Sequence, residues 1–206
     1  YYLTLRNDSN LHIYSKNIDT ALASSSANFC ISKIVNSYRN GYETGKRSYF
    51  SATDFVFSPE YDPGEGWGNG SFATHNLATP GFINTPDFQP NVRFRLFARN
   101  NTSHRLKFLI GNNEMKDTTF LGSGVFSYQS AFNSLWLANT TVFRITQVLA
   151  NNHTYSVGFV ELNYPRNFTF GTAQFMSFQL MPSLGIQKFS VPSFASNNSE
   201  IILLDY

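Results

Sequence analysis

Apolar and polar residues along most of the chain alternate with a period of two, the spacing that puts successive side chains on opposite faces of a β-sheet. The run NVRFRLFAR shows it best: Val92, Phe94, Leu96 and Ala98 alternate with Arg93, Arg95, Phe97 and Arg99, so one face is apolar and the other mostly cationic. After the turn-forming stretch 100–103 the pattern resumes, with Leu106, Phe108 and Ile110 opposite Arg105, Lys107 and Leu109, which predicts an antiparallel hairpin. TTVFRITQVL, the break at 150–153 and TYSVGFVEL predict a second hairpin. Further strands are expected over 1–6, 11–14, 29–35, 49–57, 119–128, 168–180 and 201–204. Only 18–26 and 129–138 offer a turn or two of helix. Short strands at turn-punctuated intervals, each with one apolar face, predict an all-β fold: an antiparallel β-sandwich, immunoglobulin-like or jelly-roll-like.

The segment 58–90 breaks the rhythm. It holds Pro59, Pro63, Pro80, Pro86 and Pro90 together with Gly64, Gly66, Gly68, Gly70 and Gly81, a density that central strands do not tolerate. Its aromatic residues Tyr61, Trp67, Phe72, Phe82 and Phe88 predict an ordered loop that packs over a sheet edge, with one short strand at most. The expected organisation is an N-terminal strand and connector, 1–26, and a sandwich head, 27–206.

Composition narrows the function classes. The 206 residues are 42% hydrophobic and only 14% charged, and the net charge of +2 gives no electrostatic case for nucleic acid. Twenty-one Phe and eleven Tyr exclude intrinsic disorder. No apolar run reaches the ~18 residues of a membrane span, and the chain opens on strand pattern without Met, which reads as a mature form. Cys30 is alone, in the apolar run FCISKIV, and reads as a small buried hydrophobe.

Catalytic patterns are missing. His12, His75, His104 and His153 are scattered, without metal-ligand spacing, and His104 and His153 fall in predicted turns. Glu60, Asp62 and Glu65 form one acidic cluster in SPEYDPGEGWGNGS, whose spacing is not that of a calcium loop. A polysaccharide-active enzyme would need one of them to meet Glu161 or another distant carboxylate across a cleft. The glycine spacing of GEGWGNG and LGSGVF is not that of a dinucleotide site. No catalytic residue, metal or cofactor is expected. Trp136, beside two leucines in SLWLAN, belongs to the core, whereas Trp67, between glycines, is the candidate for stacking on a ligand.

The acceptor pattern Asn-x-Ser/Thr is the densest motif, at Asn7, Asn69, Asn100, Asn101, Asn139, Asn152, Asn167 and Asn197. From 22 Asn and 39 Ser plus Thr about four would arise by chance. Asn7, Asn100, Asn101, Asn139, Asn152 and Asn197 fall at predicted turns or strand ends, where a sugar reaches solvent. Covalent N-glycans would supply the solubility that the few charges do not, and place the protein outside the cell.

Both ends read as strand, YYLTLRNDSNLHIYS and SEIILLDY. A terminal strand either pairs within its own sheet or completes that of the next copy. Strand-like start, dense acceptor sites, low charge and solitary cysteine together resemble secreted archaeal surface-filament subunits of the donor-strand type. That resemblance implies a head-to-tail homopolymer serving adhesion or biofilm, with Tyr1, Leu3, Leu5, Leu11 and Ile13 filling the neighbour's core and 18–26 as connector. The alternative is a receptor- or glycan-binding spike domain of a viral capsid or fibre, whose site would use Trp67 and its glycine-rich loop.

Overall fold

A computed structural model describes residues 25–44, 47–49, 55–57, 65–69, 74–98, 103–148, 155–171, 176–182, 187–191 and 193–194. Eight strands carry the fold: β1 (Cys30–Ser37), β2 (Thr74–Ala78), β3 (Asn91–Ala98), β4 (Ser103–Ile110), β5 (Asn113–Leu121), β6 (Gly124–Ala131), β7 (Thr140–Gln147) and β8 (Tyr155–Arg166). They form two antiparallel four-stranded sheets, in the orders β6-β3-β8-β1 and β5-β4-β7-β2. This interleaving is the jelly roll, the second of the two sandwich layouts expected.

The alternation supplies the core directly. Val92, Phe94 and Leu96 of β3 face Leu106, Phe108 and Ile110 of β4, with Leu77, Phe143, Ile145, Val157, Val160 and Leu162 closing the space between the sheets. The Phe94 ring lies 4.5 Å from that of Phe108 and 4.9 Å from that of Phe143, within the range of favourable aromatic pairing.

Both predicted hairpins are corrected. β3 pairs with β6 and β8, whereas β4 pairs with β5 and β7, so the chain crosses between sheets after β3. It crosses again between β7 and β8. The period-two pattern says which side chains are buried, and two strands facing each other across a core bury theirs as well as two paired strands do. The connection that does form a tight hairpin is β4 to β5, through Gly111-Asn112, with Gly111 at φ 60°.

Other expectations change in detail. The strand predicted over 119–128 is broken at Gly122-Ser123 into β5 and β6, which lie in different sheets. Residues 129–131 continue β6, and what remains of the predicted helix is one 3-10 turn, Ser134–Trp136, capped by the Asn133 side chain. The run 49–57 contributes two short strands, Arg47–Tyr49 and Phe55–Phe57, paired with each other. Among the described residues of 168–180, Thr169–Gly171 is a strand and Gln179 forms a bridge to Ile31. The proline- and glycine-rich segment holds two strands where one at most was expected: β2, at a sheet edge, and Glu65–Gly68. His104, expected in a turn, is fully buried on β4 and stacked on Phe120.

A smaller apolar cluster, Cys30 and Phe168 with Met176, Phe178, Leu180, Phe189 and Val191, extends the core beyond β1. Cys30 is buried there, its thiol donating to the Arg166 carbonyl. Trp136 packs on the main core, stacked on Phe132. Ser25–Ser26 pairs in parallel with Gln187–Lys188. The expected donor segment, with Tyr1, Leu3, Leu5, Leu11 and Ile13, lies outside the described residues.

Candidate functional site

Phe97 is the exception on the polar face of β3. It points away from the core, yet is only 6% exposed. What covers it is a short ribbon, Gly41–Thr44 paired antiparallel with Glu65–Gly68. The ribbon lies flat because its underside is glycine. A Cβ on Gly66 would stand 2.3 Å from the Phe97 ring, and one on Gly68 would stand 3.0 Å from the Ser156 Cβ and 3.1 Å from the Val157 carbonyl oxygen. The floor is built to match. In β8, Val157 pairs with Leu96 and Phe159 with Arg95, so Gly158 between them is a bulge residue. A Cβ there would lie 2.8 Å from the Phe97 ring and 3.2 Å from the Trp67 carbonyl oxygen. Paired backbone bonds between Asn69 and Val157, 3.0 and 2.9 Å, fasten the ribbon's end to β8.

Alternation then decides where the aromatic residues go. With Gly66 and Gly68 facing down, Trp67 between them faces up, and so does its cross-strand partner Tyr42. Their rings meet edge to face at 5.4 Å, and they remain 57% and 47% exposed. Sequence reasoning singled out Trp67 but missed Tyr42, whose placement depends on a pairing that spans more than twenty residues.

Beside the ribbon the outer face of the sheet is polar. Arg93 and Arg95 both lie over the Phe159 ring, at 5.3 and 5.7 Å. Glu161 accepts from Arg93 at 2.9 Å and pairs with Lys33 at 3.1 Å. Burial pushes the Glu161 carboxyl upward, but the hydrogen bonds and charges of Lys33 and Arg93 together outweigh it and hold the group below its ordinary value. Asn163 donates to Asn91 at 3.1 Å on the same face. Ser127 and Gln129 of β6 stand opposite Arg95 and Arg93.

The other sequence candidates separate from this surface. Glu60 and Asp62 lie outside the described residues, and of Glu65 only the backbone is described. His75 is buried, bonded through Nδ1 to the Tyr38 hydroxyl at 2.6 Å. His12 and His153 lie outside the described residues. Of the glycosylation candidates, Asn7, Asn100, Asn101, Asn152 and Asn197 lie outside them too. Asn139 is exposed just before β7, while the hydroxyl at its acceptor position, on Thr141, is buried against Thr79 and the Ala138 carbonyl. Asn167 is half-buried, its Oδ1 accepting from the Thr169 backbone N–H. Asn69 is half-buried at the foot of the ribbon. Among the described residues no helix is long and apolar enough to cross a membrane.

No known protein family and no curated protein matches the chain. Among solved structures it is similar to dimeric latent PorU from Porphyromonas gingivalis, at 11% identity and a TM-score of 0.44, over 73% of this chain and 14% of that one. The chain therefore spans about 14% of the length of PorU. It is also similar to the CBM36-1 domain of a multidomain xylanase from the hindgut metagenome of Trinervitermes trinervoides, at 12% identity and a TM-score of 0.35, over 63% of this chain and 95% of that domain. A family 35 carbohydrate binding module from Clostridium thermocellum matches at 13% identity and a TM-score of 0.32, over 66% and 94%. At these scores the likenesses carry no functional argument, and the sandwich architecture rests on the strand order itself.

Proposed function

We propose that the chain is a non-catalytic, extracellular binding module for carbohydrate, with Trp67 and Tyr42 as its stacking platform. The observation that carries this reading is the glycine-faced ribbon, which holds two exposed aromatic rings in edge-to-face contact on the outer face of the sheet. Large rings left half in water on a fixed support suit a ligand with a flat apolar face and a polar rim. A pyranose ring has that shape. Planar polar groups beside the platform, on Arg93, Arg95, Asn91, Asn163 and Gln129, suit its hydroxyls. Glu161 is engaged by two cations and serves this surface as a structural anchor, not as a proton donor. All eight jelly-roll strands come from residues 30–166, so the platform and the sheet beneath it are supplied by one chain.

The test is titration of an oligosaccharide panel, neutral and acidic, against the wild type, Trp67→Ala and Tyr42→Ala. Binding that drops at least tenfold in Trp67→Ala, with the fold intact by circular dichroism, is the expected result. A panel on which no binding depends on Trp67 would overturn the reading.

A further inference from the structure

Among the described strand residues, three cations, Lys33, Arg93 and Arg95, stand on the outer face of the β6-β3-β8-β1 sheet, against one carboxylate, Glu161. Glu161 satisfies Lys33 and Arg93 together. Arg95 differs: among the described residues its contact is with the Phe159 ring, and no carboxylate meets it. Packing over an aromatic ring steadies the guanidinium plane and leaves its N–H groups directed outward. Among the described residues Arg95 is also the cation nearest the platform by register. It lies two residues from Phe97 on the same face of β3, about 7 Å along the strand, and Phe97 is the seat of the ribbon. Its β8 partner Phe159 follows Gly158, the residue on which the Trp67 carbonyl rests. A sugar ring stacked on Trp67 and Tyr42 would thus carry a substituent over Arg95.

We infer that Arg95 reads a carboxylate on the bound sugar, so that the module selects acidic glycans over neutral ones. The inference rests on the carbohydrate reading above and adds the ligand class. A guanidinium presents parallel N–H donors in the geometry of a carboxylate, and a charge-assisted pair of this kind is stronger than hydrogen bonds to neutral hydroxyls. Single-stranded nucleic acid also stacks on aromatic rings beside cations, but that mode relies on a basic groove tracking many phosphates. Among the described strand residues this face carries one cation, Arg95, not engaged by a carboxylate.

The experiment compares tetragalacturonate, its methyl ester, cellotetraose, a sulfated tetrasaccharide and a thymidine oligonucleotide, each titrated into the wild type, Arg95→Gln, Arg95→Lys and Trp67→Ala. The expected result is that the wild type binds the free acid about tenfold or more tightly than its ester. Arg95→Gln removes that ratio by weakening the acid about tenfold more than the ester, Arg95→Lys restores part of it, and Trp67→Ala weakens acid and ester alike. Equal binding of acid and ester, with both lost in Trp67→Ala, overturns the acidic specificity and leaves the carbohydrate reading standing. Preference for the sulfated sugar overturns the carboxylate assignment, preference for the oligonucleotide overturns both readings, and so does binding of nothing on the panel.

Discussion

Replacing Phe97 with alanine removes the support of the ribbon without touching the core between the sheets. A phenylalanine buries roughly 150 Å² or more, and assigning about half of it to the ribbon gives a share of about 80 Å². At about 25 cal/mol per Å² that share contributes ~2 kcal/mol to docking, below the ~3 to 5 kcal/mol of whole Phe→Ala losses because only the ribbon's part of the burial is counted. Amide protection over 65–69 should therefore fall about thirtyfold in Phe97→Ala, while the amides of β4 and β7 keep theirs, and hydrogen exchange read by mass spectrometry separates the two. Gly66→Val reaches the same state from the opposite side, since its Cβ would stand 2.3 Å from the Phe97 ring and lift the ribbon with Phe97 intact. Unchanged protection over 65–69 in both variants would refute the argument that a glycine underside docked on Phe97 positions the platform.

The other expectations are simpler. Trp67→Ala removes a face of about 140 Å², of which a sugar covers about half, so glycan affinity should fall by ~1.8 kcal/mol or about twentyfold in calorimetric titration. Glu161 has a folded pKa below its ordinary value, so its contribution is fully present above about pH 4.5 and is lost as pH falls through the lowered value. Denaturation between pH 6 and pH 3 should show this slope in the wild type and a flatter one in Glu161→Gln, which loses about 1 kcal/mol at pH 7; parallel curves would refute it. Burial first, against the opposing charge of Arg166, pushes the Cys30 thiol up to about 11, so only about one thiol in a thousand is ionised at pH 8. Its reaction with a disulfide reagent should be slow in the native protein and rapid in denaturant, and equal rates would count against the buried assignment. Thr141→Val breaks a buried hydroxyl pair with Thr79, 2.8 Å apart, and should cost about 1 to 2 kcal/mol in chemical denaturation.

Strand existence was legible because burial follows parity: Val92, Phe94 and Leu96 are core positions as expected, and His104 shares the parity of Leu106, Phe108 and Ile110, a signal that outweighs its turn-like neighbours Thr102 and Ser103. Partner choice was not legible. Parity is the same whether β3 faces β4 across a core or lies beside it, and the loops between them have no residue that decides. The platform was half legible. Gly-Trp-Gly announces an aromatic residue on a strand that has no inner side chains, and Phe97 among arginines announces something to cover, but nothing local links 66–68 to 97 or 158. Gly158 is the remaining clue: inward residues run 155 and 157 before it and 160, 162 and 164 after it, a slip of one that marks the bulge.

The order in which the strands leave the ribosome has a cost built into this layout. β8 is the last of the eight to be made, yet it lies between β3 and β1, the third and the first. Until residue 166 has emerged, two inner edges of that sheet stand open and the aromatic interior has no lid. Two of the six pairings, those that join β3 and β1 through β8, must therefore wait for the finished chain, a long-range closure of the kind that folds slowly and leaves nascent edges available to other strands. A chain stopped short of β8 holds every strand of the β5-β4-β7-β2 sheet but leaves β1 without its partner and β3 with one open edge.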